Sequence, residues 1–247
     1  EQHSDEDTVS VALMGRPNAG KSSMMNKLCR QAVSRVSPVP LTTRDTVSFE
    51  MQTRQGRIRL LDTAGMRRPR SDKTKIEEYS IAASTRALKE CDVALLLIDA
   101  SSPITDQDMR LLSLLERQGK PCVILLNFWD KLKDEERRRY VKESDFQEYL
   151  ARFTTMPISA KTGWNIPKLL PLVFSLNRQA KTRIKTSDLN RFVKNMIAKN
   201  PPPAAGNGNF NILYASQVKV DPPTFVFFMN RKGNLPDSCG RVLENQI

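Results

Sequence analysis

Histidine is all but missing. A single one, His3, stands in 247 residues, inside the polar opening EQHSDEDT. Imidazole acid–base catalysis and histidine-ligated zinc are therefore not expected. Cysteine is sparse too. Cys29, Cys91, Cys122 and Cys239 are scattered with no paired spacing, which reads as buried, reduced thiols. Long apolar runs are absent. The longest, Val93 to Ile98 and Cys122 to Leu126, are strand-length and far too short to span a bilayer, so no membrane partner is expected. No signal peptide is evident, and the acidic opening is the opposite of a transit peptide. The chain starts at Glu1 rather than at methionine, which reads as a processed or partial product.

Basic charge is what the chain has in excess. Lys and Arg number 39 against 27 Asp and Glu, giving a net charge of +12 and a pI near 9.7. That balance points to a polyanionic partner. The excess is uneven: from Arg178 onward there are eleven Lys and Arg against four Asp and Glu. A solvated basic face would account for it, but nucleic acid is the more specific expectation for so short a segment. A hydrophobic content of 39% and this length suit one large or two ordinary soluble domains.

Strand and helix patterns alternate through the first 175 residues or so. Val9 to Met14 reads as a strand ending at a glycine loop, and Ser22 to Arg30 as a helix. Val47 to Thr53 and Arg57 to Leu61 alternate around Gln55-Gly56, a hairpin signature. Glu77 to Glu90 reads as a helix, Val93 to Ile98 as a buried strand, and Asp106 to Gln118 as an amphipathic helix closed by Gly119 and Pro121. Cys122 to Leu126 is the next buried strand, Asp134 to Phe153 a long charged helix, Pro157 to Ser159 a short last strand and Ile166 to Leu176 a closing helix. This order predicts an α/β domain with a mostly parallel, doubly wound sheet. The expected boundaries are a polar tail over 1–8, a first domain over 9–178 and a second over 181–247. In the second, a helix capped by Ser187 or Asp188 runs to Lys199. PPPAAGNGN is a breaker-rich loop. Strands cover Asn209 to Val218 and Thr224 to Asn230, and a short helix lies near Arg241 to Gln246.

Three motifs carry chemistry. Gly15, Arg16, Pro17, Asn18, Ala19, Gly20, Lys21 and Ser22 fit G-x-x-x-x-G-K-S, between a strand and a helix. With Ser23 they make a phosphate cradle. The glycines let backbone N–H groups turn inward, and the helix N-terminus adds positive potential. Lys21 would reach the β- and γ-phosphates, and the Ser22 hydroxyl would bind Mg²⁺. Asp62, Thr63, Ala64 and Gly65 form a D-x-x-G string after a second strand. Asp62 would hold Mg²⁺ through water, and the Gly65 N–H would meet the γ-phosphate. Between them lies Thr42-Thr43-Arg44-Asp45, in a segment too polar and proline-rich to read as a strand. Thr43 is favoured to complete the Mg²⁺ shell, with Thr42 as the alternative. Asn127 and Asp130 follow the fifth strand. A carboxylate there accepts from guanine N1–H and N2–H₂, a donor pair that adenine lacks. Ser159, Ala160 and Lys161 follow the last strand, with the Ala160 N–H expected to meet guanine O6.

In this order GRPNAGKS, TTRD, DTAGMRR, N-x-W-D and SAKTG resemble the second GTPase domain of the Der (EngA) family of tandem GTPases. KTSDLNRFVKNMIAKNPPP, ILYASQVKVDPPTFVFFMN and RVLENQI are similar to its KH-like C-terminal domain. The resemblance covers nearly the whole chain from Val9. It implies a P-loop GTPase domain followed by a small α+β KH-like domain, binding GTP or GDP with Mg²⁺. It also implies an activating K⁺ near Asn18, and slow hydrolysis in which Lys21, Thr43, Gly65 and Asn18 carry the catalytic roles. The implied partners are large-subunit rRNA and ribosomal proteins of a bacterial-type ribosome, with no DNA and no membrane. The chain would act as a monomer within a particle, in an organelle matrix (a mitochondrion before a plastid) or a bacterial cytoplasm. Arg67, Arg68 and Arg70 in the second switch, and the basic tail, are where rRNA contacts are expected.

The departures from the family pattern are specific. Phe128 stands where that family has a lysine that lies over the base and braces the P-loop; the phenyl ring is expected to stack on guanine still, without the polar brace. Leu41 replaces a glycine before TTRD, and Met66 follows the D-x-x-G where many GTPases carry a glutamine. Weakened affinity with retained guanine preference is expected. The main alternative is a GTP-bound structural or checkpoint component of a ribosome particle that does not hydrolyse. A third is an Era-like GTPase acting on tRNA or membranes. The second domain has no G-x-x-G clamp, so RNA contact there would rest on basic surface and shape.

Overall fold

In a computed structural model, the described residues are 8–30, 37–40, 47–62, 83–137, 152–199, 211–220 and 223–230. The chain divides into two compact units, Glu1–Arg178 and Gln179–Ile247.

The first unit is built on one sheet of seven strands. They are β1 (Thr8–Met14), β2 (Ser37–Pro40), β3 (Val47–Gln52), β4 (Arg57–Asp62), β5 (Val93–Asp99), β6 (Cys122–Asn127) and β7 (Thr154–Pro157). Their order across the sheet is β2-β3-β4-β1-β5-β6-β7. β1 pairs in parallel with β4 and β5, and β6 continues in parallel to β5 and β7. Only β2–β3 and β3–β4 are antiparallel. The mostly parallel α/β sheet read from the sequence is the one observed.

Among the described residues the longer helices are α1 (Lys21–Cys29), α2 (83–90), α3 (Asp106–Gln118) and α4 (Leu169–Ala180), with a short helical stretch at 134–137. β5 reads VALLLID, and Val93 to Ile98 are all buried, as a strand covered on both faces must be. Alternate residues enter two cores. Leu95, Leu97, Val123 and Leu125 pack with Met24 and Leu28 of α1 and Leu169 and Val173 of α4. Leu96, Ile98, Ile124 and Leu126 pack with Leu88 of α2 and Leu111, Leu112 and Leu115 of α3. α3 begins with a capping box, in which Thr105 accepts from the Asp108 N–H while Asp108 accepts from the Thr105 N–H. It ends at Gly119 with φ 59.

Several boundaries differ from the sequence reading. The helix of the second unit begins at Thr186, so Ser187 and Asp188 lie inside its first turn rather than capping it. The proline-rich stretch before Thr42 contains a strand, β2, whose sequence is SPVP. It pairs only with β3, at the sheet edge, where a proline costs no ladder bond on its open side. The last strand is Thr154–Pro157, earlier than Pro157 to Ser159, so Ser159 lies in the loop beyond it. The closing helix opens with a 3₁₀ turn at Ile166–Lys168 and runs on to Ala180, past Leu176. The start expected at Glu77 and the middle of the helix expected over Asp134 to Phe153 fall outside the described residues, as do the PPPAAGNGN loop and the helix near Arg241. The described ends of the charged segment are helical at 134–137 and at Arg152, with Phe153 already past the helix.

In the second unit α5 (Thr186–Lys199) packs on a hairpin of β8 (Ile212–Lys219) and β9 (Thr224–Met229). Leu189 and Val193 meet Ala215, with Phe225 and Phe227 against them. Asn190 ties helix to strand. Its amide donates to the Ala215 carbonyl at 2.8 Å and accepts from the Ala215 N–H at 2.8 Å, doing for this edge what a neighbouring strand would do. The free thiols among the described residues are Cys29, Cys91 and Cys122, the last two buried. Burial pushes the Cys91 thiol up to about 11 and raises Cys122 further.

Asn190→Ala would leave both backbone groups of Ala215 without this partner. A loss of about 1–3 kcal/mol is expected, read as a lower denaturation midpoint of the second unit. An unchanged midpoint would show that water replaces the amide without cost.

Candidate nucleotide site

Among the described residues, the loops named from the sequence after β1, β6 and β7 meet at the carboxyl ends of the parallel strands. β1 lies between β4 and β5, where the strand order turns outward in both directions. In open α/β sheets this switch point is where ligands bind. The Gly15–Gly20 loop follows β1 there. Leu13 of β1 is in register with Asp62 at the end of β4, so the D-x-x-G string starts beside the phosphate loop.

The loop's backbone explains its glycines. Gly15 has φ 145, and a Cβ on it would stand 2.6 Å from the Leu97 carbonyl oxygen of β5. Gly20 has φ 100, and a Cβ there would collide with the Asn127 side-chain nitrogen. Asn18, at the exposed tip, is left-handed with φ 67. Lys21 turns back over the loop. Its ammonium donates to Gly15 O at 2.6 Å and Arg16 O at 2.7 Å. Ser22 and Ser23 are exposed on the first turn of α1. That turn has neither a side-chain cap nor an acidic residue, so its positive end is uncompensated by the helix itself.

Asn127 ends β6 at 1% exposure. Its amide nitrogen donates to Ala19 O at 2.8 Å, and its oxygen accepts from the Ala160 N–H at 2.9 Å. One buried side chain thus clamps the loops after β1, β6 and β7. The sequence reading had the Ala160 N–H directed at a base. In the structure that N–H is donated to Asn127.

The loop after β7 is tight. Thr162 N–H donates to Ser159 Oγ at 3.1 Å and Gly163 N–H to Ser159 O at 2.8 Å, with Ser159 fully buried and Lys161 exposed. Phe128, at φ 63, turns the chain into a 3₁₀ turn at Trp129–Lys131. Buried Trp129 anchors that turn through its N–H to Ile158 O, and Asp130 is exposed on it. The Lys131 ammonium stands 4.0 Å from the Phe128 ring centroid.

Arg16 carries a network that spacing did not reveal. Its guanidinium bonds to Ser102 and pairs with Asp99 at 3.6 Å and with Asp108, side chain 1% exposed, at 3.5 Å. The phosphate loop is thereby tied to the end of β5 and the cap of α3. No sequence signal marked it, because the three partners lie 83 to 92 residues away and only the sheet brings them together. Of the expected site residues, Thr42, Thr43, Thr63, Ala64 and Gly65 lie outside the described residues. So do Leu41, Met66, Arg67, Arg68 and Arg70.

The exposed Ser22 hydroxyl at the start of α1 is an oxygen donor of the kind that a hard cation such as Mg²⁺ takes together with phosphate oxygens. Among the described residues there is no cluster of three or more His, Cys, Asp or Glu that could hold a metal ion by itself. No helix among them is long and apolar enough to cross a membrane.

Two family descriptions match this chain. "50S ribosome-binding GTPase" covers residues 10–128. "KH-domain-like of EngA bacterial GTPase enzymes, C-terminal" covers residues 183–247. A GTPase Der of Desulfitobacterium hafniense is 39% identical over 250 residues, matching 100% of this chain and 57% of its own length. A GTPase Der of Moorella thermoacetica is 37% identical over 244 residues, 98% of this chain and 56% of its own. The chain thus spans little more than half the length of these curated relatives. Among solved structures, Era bound to MgGDPNP and nucleotides of 16S ribosomal RNA has a TM-score of 0.53 and 26% identity, covering 69% of this chain and 57% of that one. An Aquifex aeolicus Era variant with GDP and aluminium fluoride has the same TM-score at 25% identity and the same coverage.

Asn127→Ala would free the Ala19 carbonyl and the Ala160 N–H inside the protein. It is expected to cost about 1–3 kcal/mol in thermal or denaturant unfolding. Gly20→Ala should cost at least as much, because it displaces the same amide and strains φ. Arg16→Met should cost about 1–3 kcal/mol by removing the cation that faces buried Asp108, which keeps its bonds to Thr105. Wild-type melting of Asn127→Ala would mean that the clamp is dispensable.

Proposed function

The chain belongs to the Der (EngA) family of GTPases, and we propose that it binds GTP with Mg²⁺ in this loop cluster and hydrolyses it to GDP and phosphate. We further propose that it serves assembly of a large ribosomal subunit through contact with rRNA. The observation that carries the reading is the Asn127 clamp, which joins a phosphate-loop carbonyl to the loop after β7 across a buried amide.

In this reading backbone N–H groups of the Gly15–Lys21 loop, in which Pro17 has none, receive the phosphates, and Lys21 exchanges its bonds to Gly15 and Arg16 carbonyls for phosphate oxygens. Ser22, Thr43 and Asp62 would hold Mg²⁺, and the ion would supply positive charge beside the γ-phosphate. The Gly65 N–H orients that phosphate. Asn18 would contribute to a K⁺ site, a role that matters because Met66 cannot orient water. Asp130 accepts from the guanine N1–H and N2–H₂. The Ala160 N–H reaches guanine O6 by sharing or releasing its bond to Asn127. Thr63 and Ala64 belong to this site through the D-x-x-G string, and Ser159 and Lys161 through the loop that holds the Ala160 N–H.

The basic second unit and the arginines at 67, 68 and 70 are the proposed rRNA contacts, with large-subunit ribosomal proteins nearby. The relatives are bacterial, so the setting is wherever a bacterial-type ribosome is built: the bacterial cytoplasm or an organelle matrix.

The test is GTP against ATP binding, followed by single-turnover hydrolysis in K⁺ and in Na⁺ at equal ionic strength. GTP-selective binding with faster hydrolysis in K⁺ is expected. Asp130→Asn should weaken GTP binding about 5- to 150-fold, matching roughly 1–3 kcal/mol for an unpaired polar group, and leave ATP binding unchanged. GTP binding without hydrolysis in either salt, even with ribosomal particles added, would replace the enzyme with a structural component. Equal affinity for GTP and ATP would overturn the reading of Asn127 and Asp130.

A further inference from the structure

Phe128 cannot supply the ammonium that a lysine would bring to this loop. The structure brings one from three residues further on. Phe128 is left-handed at φ 63, and the Lys131 N–H donates to Phe128 O at 2.9 Å, closing the 3₁₀ turn. That closure returns the side chain of residue 131 over residue 128. The Lys131 ammonium then stands 4.0 Å from the ring centroid, well inside the range in which a cation is held by an aromatic face. The turn itself is anchored. Trp129 is buried, its N–H donates to Ile158 O, and its carbonyl accepts from Arg137 at 3.0 Å. The ring is held beside the phosphate loop, its Cζ 3.7 Å from where a Cβ of Gly20 would stand.

From this arrangement we propose that Phe128 and Lys131 act as one composite base platform. Lys131 covers one face of the ring, and the guanine base stacks on the other. This inference rests on the guanine-nucleotide reading above and adds a positioning residue, Lys131, to it. The ammonium draws the ring's negative face toward itself. The opposite face becomes less negative and better suited to an electron-rich purine. Positive charge is thus kept near the base through the ring, with no hydrogen bond to the phosphate loop. That loop is held instead by Lys21 and Asn127. The contact needs a cation over an aromatic ring, so arginine should serve at 131 and a neutral chain of equal length should not.

The experiment is a double-mutant cycle read by GDP affinity, using isothermal titration on the chain as it stands. Lys131→Met is expected to weaken GDP binding about two- to five-fold, the size of an exposed cation–π contact. Lys131→Arg should restore it. In a Phe128→Leu background, Lys131→Met should have no further effect, because no ring remains to transmit the charge. Lys131 is exposed, so its variants should melt with the wild type, and a melting curve checks this. An equal effect of Lys131→Met in both backgrounds would overturn the platform and leave ordinary long-range attraction. Tighter binding in Lys131→Met would overturn it differently, by showing that ammonium and base compete for one face. Absence of GDP binding in the wild type would instead sink the nucleotide reading, and the platform with it.

Discussion

The Asn127 amide is the contact on which the rest of the site depends. It is buried at the end of β6, donates to the carbonyl of Ala19 and accepts from the N–H of Ala160. Each of those groups would otherwise be an orphan in a region that water does not reach, and such orphans are costly. The clamp also sets the residues around it. Gly20 must be glycine because the amide occupies the space of a Cβ. Phe128, one residue on, must turn left-handed to leave the strand and start the anchored turn that carries Asp130.

A second set of constraints is electrostatic. The phosphate loop holds two cations of its own, Lys21 over its carbonyls and Arg16 between Asp99 and buried Asp108. Arg16 answers the charge of an Asp that α3 uses as its cap, so the loop's position and the start of α3 are set by the same pair. A surface ion pair would contribute little. This one matters because Asp108 is out of water. The loop is therefore braced from the β5 side by charge and from the β6 side by an amide, and its tip at Asn18 is left exposed.

The two units ask different things of their sequences. The first needs strands buried on both faces, and it spends its apolar residues on β5 and β6. The second is small and basic, and among its described residues a two-stranded hairpin is covered by α5 and tied to it by a side-chain amide, Asn190. A hairpin alone is marginal in water, so α5 with Leu189 and Val193 supplies the apolar cover that stabilises it.

Much of this was legible in the order of residues. G-x-x-x-x-G-K-S between a strand and a helix, the buried runs Val93 to Ile98 and Cys122 to Leu126, and the cap and stop of α3 are local patterns. Their physics acts within a few residues, so periodicity and glycine positions report them. The match to Der motifs likewise needed only the linear string. What the sequence could not supply came from contacts across the sheet. SPVP became a strand because β3 offered it an edge. Asn127 lies 108 residues from Ala19 and 33 from Ala160, and Arg16 lies 92 from Asp108. Even Lys131, only three residues from Phe128, needed a left-handed turn to lie over the ring. Local patterning determined the elements and the motif chemistry. Tertiary structure alone decided which buried polar group answers which, because that depends on the strand neighbours and not on distance along the chain.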